Sequence, residues 1–185
     1  MEMTRLSILI CSIPSRLEKM SKLIAKLERQ IKDKPVEILY IGDNKKRTIG
    51  SKRNDLLLLA KGDYSCFIDD DDDVSEDYVD RILEASEKDT DCIVFQAIRT
   101  VDGQNGKLVK YSILYKKDEN RQDYFIRLPN HLMPIKTDIL LSTFFKEVSF
   151  GEDFDLAHKI KAKLISETRI DKVLYYYLDK SKKKQ

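Results

Sequence analysis

An apolar stretch, Tyr64 to Ile68, runs straight into five consecutive carboxylates, Asp69, Asp70, Asp71, Asp72 and Asp73. Such charges repel by about 1 kcal/mol per pair at 4 Å in water, and by roughly 4 at an effective dielectric of 20. A folded chain keeps them together cheaply only in full solvent or around a cation. The abrupt passage from buried strand to acid places them at a strand's C-terminal end, where open α/β sheets bind ligands. Hard carboxylate oxygens there suit Mg²⁺ or Mn²⁺, and those ions suit phosphate. The run therefore reads as a metal site for a phosphorylated substrate. A solvated acidic loop capping the next helix is the alternative. An EF-hand loop does not fit, because the position that needs glycine is Val74 and the one that needs Glu is Asp80.

Strand and helix alternate around the run. Residues 6–11 form a continuous apolar strand. Ser15-Arg16-Leu17-Glu18 has the form of a capping box, opening a helix with Leu17, Met20, Leu23, Ile24, Leu27 and Ile31 on one face. Pro35 ends that unit and residues 36–41 make a second strand. A short helix over 50–61 is closed by Gly62. Residues 64–68 are the third strand, and Ser75, with Glu76 and Asp77 in the first turn, starts the next helix. This order predicts an α/β fold with a doubly wound, mostly parallel sheet.

The pattern then changes. Residues 93–101 and 107–115 flank Asp102-Gly103-Gln104-Asn105-Gly106 as an antiparallel hairpin. Residues 116–123 read as a mobile polar loop and 124–128 as a strand. Helices are expected over 137–145 and 152–162, the second amphipathic through Phe154, Leu156, Ala157 and Ile160. Residues 173–178 close the chain as an aromatic strand, whose Tyr175, Tyr176 and Tyr177 read as sheet packing.

Composition narrows the function classes. The 185 residues carry 34 basic against 32 acidic side chains, a net charge of +2, which gives a nucleic-acid partner no positive support. Cys11, Cys66 and Cys92 fall in strand-like segments without metal-type spacing, and read as reduced core residues of a cytoplasmic protein. The longest apolar runs are too short to span a membrane.

Two further clusters carry chemistry. Lys45, Lys46, Arg47, Lys52 and Arg53 lie in or beside a loop containing Gly50 at the start of a helix. Cations at a helix N-terminus favour a pyrophosphate, although such loops are commonly just solvated. Phe150-Gly151-Glu152-Asp153 places two acids at the opening of another helix, either as dipole complements or as a base that takes a proton from a hydroxyl.

Taken in order, these residues resemble a known family. Arg53-Asn54, Ala60-Lys61-Gly62-Asp63-Tyr64 and Phe67-Ile68-Asp69-Asp70-Asp71-Asp72 look like the core of family 2 glycosyltransferases, which have the GT-A fold. The stretch 130–136 and the Glu152-Asp153 pair look like the family's acceptor-side segment and "ED" motif, and 173–177 is similar to its closing strand. The resemblance implies an inverting transferase that uses a nucleotide-sugar, with UDP as the default, and Mn²⁺ or Mg²⁺.

The same resemblance assigns roles by position. Asp69 and Asp71 match the acids of the DXD motif, with Asp71 on the metal and Asp69 on the donor ribose or the metal shell. Asp70 is an extra acid that allows the register to slip by one. Asp153 matches the general base, with Glu152 beside it. Asp43 matches the acid that reads the base, and Ser12, Ile13 and Pro14 match the nucleotide-binding turn. Lys52, Arg53 and Asn54 fall on the donor side, His131 and Asp155 on the acceptor side. One catalytic domain over 1–178 is expected, its nucleotide-binding half ending near residue 100, its acceptor half spanning 101–178, with a disordered basic tail over 179–185. A nucleotidyltransferase, an inactive nucleotide-sugar-binding module and an enzyme acting on nucleic-acid bases remain as rival readings.

Overall fold

A strand whose every residue is apolar or small needs cover on both faces, and β1 (Leu6–Ser12) is buried along its whole length. The computed structural model describes residues 3–179. In it β1 pairs in parallel with β2 (Val36–Gly42) on one side and β3 (Tyr64–Phe67) on the other. A 3₁₀ turn (Pro14–Arg16) and α1 (Leu17–Ile31) connect β1 to β2, and α2 (Ile49–Leu59) connects β2 to β3. The chain continues through β4 (Asp73–Val74), α3 (Tyr78–Ser86), β5 (Cys92–Val101), β6 (Gln104–Tyr111), β7 (Glu119–Asn120) and β8 (Tyr124–Arg127). It ends with β9 (Ile135–Lys136), α4 (Thr137–Leu141), α5 (Glu152–Lys161) and β10 (Glu167–Asp179).

The sheet order is β2-β1-β3-β9-β5-β6-β8-β7, and β10 runs parallel along β5. The two residues of β9 carry the join: Ile135 pairs with both Ser65 of β3 and Cys92 of β5. One apolar cluster therefore runs from Leu6 to Tyr175 without a break. Burial drives it, at about 25 cal/mol per Å² of apolar surface removed from water. The α/β class and the mostly parallel central sheet agree with the sequence reading.

Several local expectations change. The Ser15–Glu18 capping box does not form: Arg16 occupies the N-cap of α1 without a side-chain cap, and Leu17 is exposed. Preceding residues already turn as a 3₁₀ segment begun by Pro14, whose fixed φ suits such a start. Helix α2 begins at Ile49, capped by Thr48 Oγ1, which accepts from the Ser51 amide at 3.1 Å. Gly62 is not a left-handed cap; a Cβ there would stand 2.5 Å from the Ser7 nitrogen, so glycine is needed for close approach to β1.

Helix α3 starts at Tyr78, three residues after Ser75, because the Ser75 hydroxyl is spent on Asp77. The hairpin turn is tighter than read, with Asp102 and Gly103 both at positive φ and Gln104 back in the ladder. Asp-Gly is the pair that such a two-residue turn favours. The segment expected to be mobile carries β7, paired to β8. Helix α4 is shorter than expected, and β10 longer at both ends. The basic tail lies outside the described residues except for Asp179, which closes β10.

Candidate functional site

The acidic run is divided by what its backbone turn presents. The Asp72 amide donates to the Asp69 carbonyl at 3.1 Å, a tight turn at the C-terminal end of β3. Tyr175 of β10 clips that turn: its hydroxyl accepts from the Asp69 amide at 3.2 Å and donates to Asp72 at 2.7 Å. The Leu178 amide donates to the other Asp72 oxygen at 2.9 Å. Burial pushes the Asp72 carboxyl up to about 7, against the hydrogen bond from Leu178. Asp73 turns away to Lys26, 2.8 Å off on α1. Asp73 is therefore scaffold, and Asp72 is tied into the turn at the border of the cleft, beside Leu178.

The first three acids face a cleft. Asp70 is 3% exposed, accepting from the Ser12 hydroxyl at 2.7 Å and from Arg16 at 2.9 Å. Asp71 is half-buried, with both Arg16 terminal nitrogens at 3.1 Å. Burial raises the Asp71 carboxyl above its ordinary value, Arg16 opposing and the neighbouring acids adding. Asp69 accepts from Arg53 at 3.0 Å, and His131 Nε2 lies 3.7 Å away, beyond hydrogen-bond reach. Burial alone would raise Asp69, but His131 and the Arg53 guanidinium outweigh it and hold the carboxyl well below the usual range.

Arg53 is the hub of the cleft floor. It is 2% exposed on α2, donating to Glu152 at 2.8 Å and to Asp69, between the rings of Phe67 and Phe145 at 5.4 and 5.3 Å. Glu152 is thus a buried partner of Arg53 at the head of α5. Gly151 before it takes φ +78, the left-handed turn that glycine tolerates, and Asp153 follows, half-buried and facing the cleft. Leu156, Ala157 and Ile160 anchor α5. Phe154, expected among them, is 56% exposed and stacks on His158 at 4.1 Å between ring centres.

Two cavities meet here. One, of about 690 Å³, is lined by Ser12 at the end of β1 and Ile13 after it, Lys52 and Arg53, His131, and Phe150 to Phe154. The other, of about 560 Å³, opens onto the sheet and is lined by Arg99, Tyr111, Phe125, Arg127, Asn130 and Tyr177 among others. Arg16, Asp69, Asp71, Asp153 and Phe154 line both. Cys11 borders the first cavity, its thiol pushed up to about 12 by burial, which excludes it as a nucleophile near neutral pH.

Other expected site residues are placed elsewhere. Asn54 spends both amide atoms on the Phe145 backbone, at 3.0 and 2.8 Å, pinning α2 to the segment after α4. Asp43 lines neither cavity: it accepts from the Arg47 amide at 2.8 Å and from Lys52 at 2.9 Å, and that lysine holds its carboxyl below the ordinary range. Pro14 starts the 3₁₀ turn, outside both linings. Asp155 pairs with Lys159 on α5 and also lies outside both. His131, expected on the acceptor side, lines the first cavity alone.

The basic loop divides too. Lys52 and Arg53 reach the cavity, whereas Arg47 pairs with Asp55 and the Gly50 amide donates to the Val148 carbonyl at 3.1 Å. Gly50 is there because a Cβ would stand 2.0 Å from the Lys146 carbonyl oxygen. Arg16 was not among the expected site residues, although a cation just beyond the turn that ends β1 was a legible signal. The second cavity's strand residues offered no such local signal.

The model of glycosyl transferase family 2 matches residues 15–145, a span from the 3₁₀ turn through α4. The chain belongs to that family. The fold is that of the GT-A neighbours. Residues 1–349 of S. aureus TarS in complex with UDP-GlcNAc superpose with a TM-score of 0.70 at 12% identity, over 97% of this chain and 60% of that one. The complex of the same protein with UDP gives 0.68 at 14% identity, over 94% and 60%. The chain thus spans about 60% of the length of these structures. No curated protein matches the sequence. No described helix is long and apolar enough to cross a membrane.

Proposed function

We propose that the chain transfers a sugar from a nucleotide-diphosphate donor, a UDP-sugar, to an acceptor hydroxyl, inverting the anomeric centre in one displacement. The observation that carries this reading is the placing of Asp153 and the Asp69–Asp71 turn on the wall that two cavities share. A transfer between two bound molecules needs that arrangement: a site for each, with the reacting groups where they touch. The cavity beside Ser12, Lys52 and Arg53 takes the nucleotide diphosphate, in keeping with the UDP held by the TarS structures. The cavity over β6 and β8 takes the acceptor.

Asp153 removes the proton from the acceptor hydroxyl, and the freed oxygen attacks the anomeric carbon on the face opposite the diphosphate. The bond to the diphosphate breaks, and its electron pair leaves with UDP. Held at the head of α5 by buried Glu152, Asp153 is aimed by a helix and not by a loop. Lys52 and Arg16 supply positive charge along the diphosphate's side.

Among the described residues no group of three or more His, Cys, Asp or Glu could hold a metal by itself. Mg²⁺ and Mn²⁺ do not require one, being held by one or two carboxylates together with substrate phosphates and water. Asp71 and Asp69 fit that pattern, hard oxygens facing the cavity. Bound there with the donor, the ion would neutralise charge developing on the leaving diphosphate. Calorimetry of UDP binding with Mn²⁺ tests the assignment. Asp71→Asn should lose the metal-dependent part of UDP affinity while melting no lower than wild type, since carboxylate repulsion is relieved. Unchanged affinity would put the metal elsewhere. Metal-dependent hydrolysis of a UDP-sugar would exclude one rival, the inactive binding module.

A further inference from the structure

Arg16 stands at one edge of the acidic run with its guanidinium across two carboxylates at once. One terminal nitrogen is 2.9 Å from Asp70 and 3.1 Å from Asp71, and the other is 3.1 Å from the second Asp71 oxygen. Its two partners differ. Asp70 is 3% exposed and is also tied to Ser12 at 2.7 Å, so it is held within the protein at the edge of the first cavity. The Asp71 side chain is 29% exposed, and Arg16 itself 44%. The arginine springs from a three-residue 3₁₀ turn and borders both cavities, and its backbone amide holds only the Ile13 carbonyl in that turn.

We propose that Arg16 is a built-in counter-cation that occupies the metal-facing side of Asp71 and is drawn onto the diphosphate when nucleotide and metal arrive together. The idea rests on the preceding reading of Asp71 as a metal ligand. Buried and nearly buried carboxylates need a positive partner, and in the ligand-free chain this fork supplies it. A divalent ion at Asp71 would meet a like charge within a few ångströms, so the ion alone binds weakly. A diphosphate reverses the balance, since its oxygens match the same fork and remove the repulsion. Metal and nucleotide then favour each other through one side chain, and the coupling is reciprocal. Asp70 keeps the arginine's first nitrogen within reach, so the fork pivots and is not lost to solvent.

The test is Mn²⁺ binding to the intact chain, followed by electron paramagnetic resonance of the free ion, with and without UDP, for wild type, Arg16→Gln and Arg16→Lys. Removing the charge should tighten binding of Mn²⁺ alone by at least about fivefold. It should also cut the factor by which UDP enhances Mn²⁺ affinity by about tenfold, through loss of the charged fork. Arg16→Lys keeps a charge without the fork and should fall between the two on both readouts, which holds the proposal to account even if the glutamine variant does not fold. If wild type binds Mn²⁺ with UDP but neither variant binds the bare ion more tightly, Arg16 is not a counter-cation and the proposal fails alone. If no form binds Mn²⁺ at any UDP concentration, the metal reading fails and the proposal with it.

Discussion

The two cavities share Asp69, Asp71 and Asp153 but are built in opposite ways. The first is walled by a strand end and by helix heads, where one short segment sets each contact: Ser12 ending β1 with Ile13 after it, Lys52 and Arg53 on α2, Gly151 to Asp153 opening α5. The second is floored by the sheet's other half, where Arg99 of β5, Tyr111 of β6, Phe125 of β8 and Tyr177 of β10 come together across strands. Charges are paired within the protein in both: Arg99 holds Asp179 at 2.6 Å and Arg127 donates to Asn120 at 2.7 Å, as Lys52 holds Asp43 at 2.9 Å and Arg53 holds Glu152 at 2.8 Å. The first cavity holds cations in fixed places for a charged ligand. The second sets the aromatic faces of Tyr111, Phe125 and Tyr177 among charged side chains on a broad floor.

The comparison breaks most sharply at the residue both cavities share. Asp153→Asn should leave UDP affinity near wild type and lower turnover by roughly 10²–10⁴-fold, the range general-base catalysis supplies. Turnover at the wild-type rate would mean that the acid merely complements the dipole of α5.

Next in size is Arg53. Truncation to Met leaves buried Glu152 and half-buried Asp69 without their cation, a cost of about 3–5 kcal/mol. For a chain of this length that lowers the melting temperature by roughly 6–20 °C, and adding Glu152→Gln should restore part of it. Loss of only a degree or two would show that the cleft floor is held by its aromatic packing and not by the ion pairs.

A matched pair separates the cavities. Lys52 lines only the first, so Lys52→Gln should weaken UDP binding about tenfold through loss of a charge-assisted contact, with acceptor KM unchanged. Arg99 lines only the second, and Arg99→Gln should raise acceptor KM about threefold with UDP affinity unchanged. Steady-state kinetics with both substrates varied decides it, and crossed effects would erase the division.

The smallest effect is a control outside both cavities. Hydrogen bonds from Lys172 first, and then from Arg81 and Ser75, hold the Asp77 carboxyl well below the usual carboxylate range. A depressed carboxylate stabilises above the unfolded value near 3.9, and that contribution is lost as pH falls from there toward the folded value. Because these pairs are largely exposed, Asp77→Asn should cost under about 1 kcal/mol at pH 7. The variant should also lose less stability than wild type as pH falls below 4, in urea melts, with turnover unaltered.

What could be read in advance follows the same division. Asp69, Asp71, Asp153, Lys52 and Arg53 were legible because each announces itself within a few residues: acid after apolar strand, cation in the first turns of a helix, acid after glycine. Asn54 and Asp43 carried similar local signs, yet the structure spends them on Phe145 and on Lys52. Asp72 looked like its neighbours and is held by Tyr175 and Leu178, about a hundred positions on. Phe154 fitted the apolar face of α5 by spacing, but the helix presents it at the cleft mouth.

The sequence by itself determined the α/β order, the apolar core strands and the sites where charge gathers, because periodicity and abrupt changes of polarity act over a few residues. Only the tertiary structure decided which of five identical acids line both cavities, that Arg16 lies across two of the five, and that Glu152 serves Arg53. Those outcomes depend on partners brought from 54 to 106 positions away, as with Arg16 and Asp70 or Leu178 and Asp72. No local pattern encodes such partners, since the same carboxylate is ligand or scaffold according to what the fold sets against it.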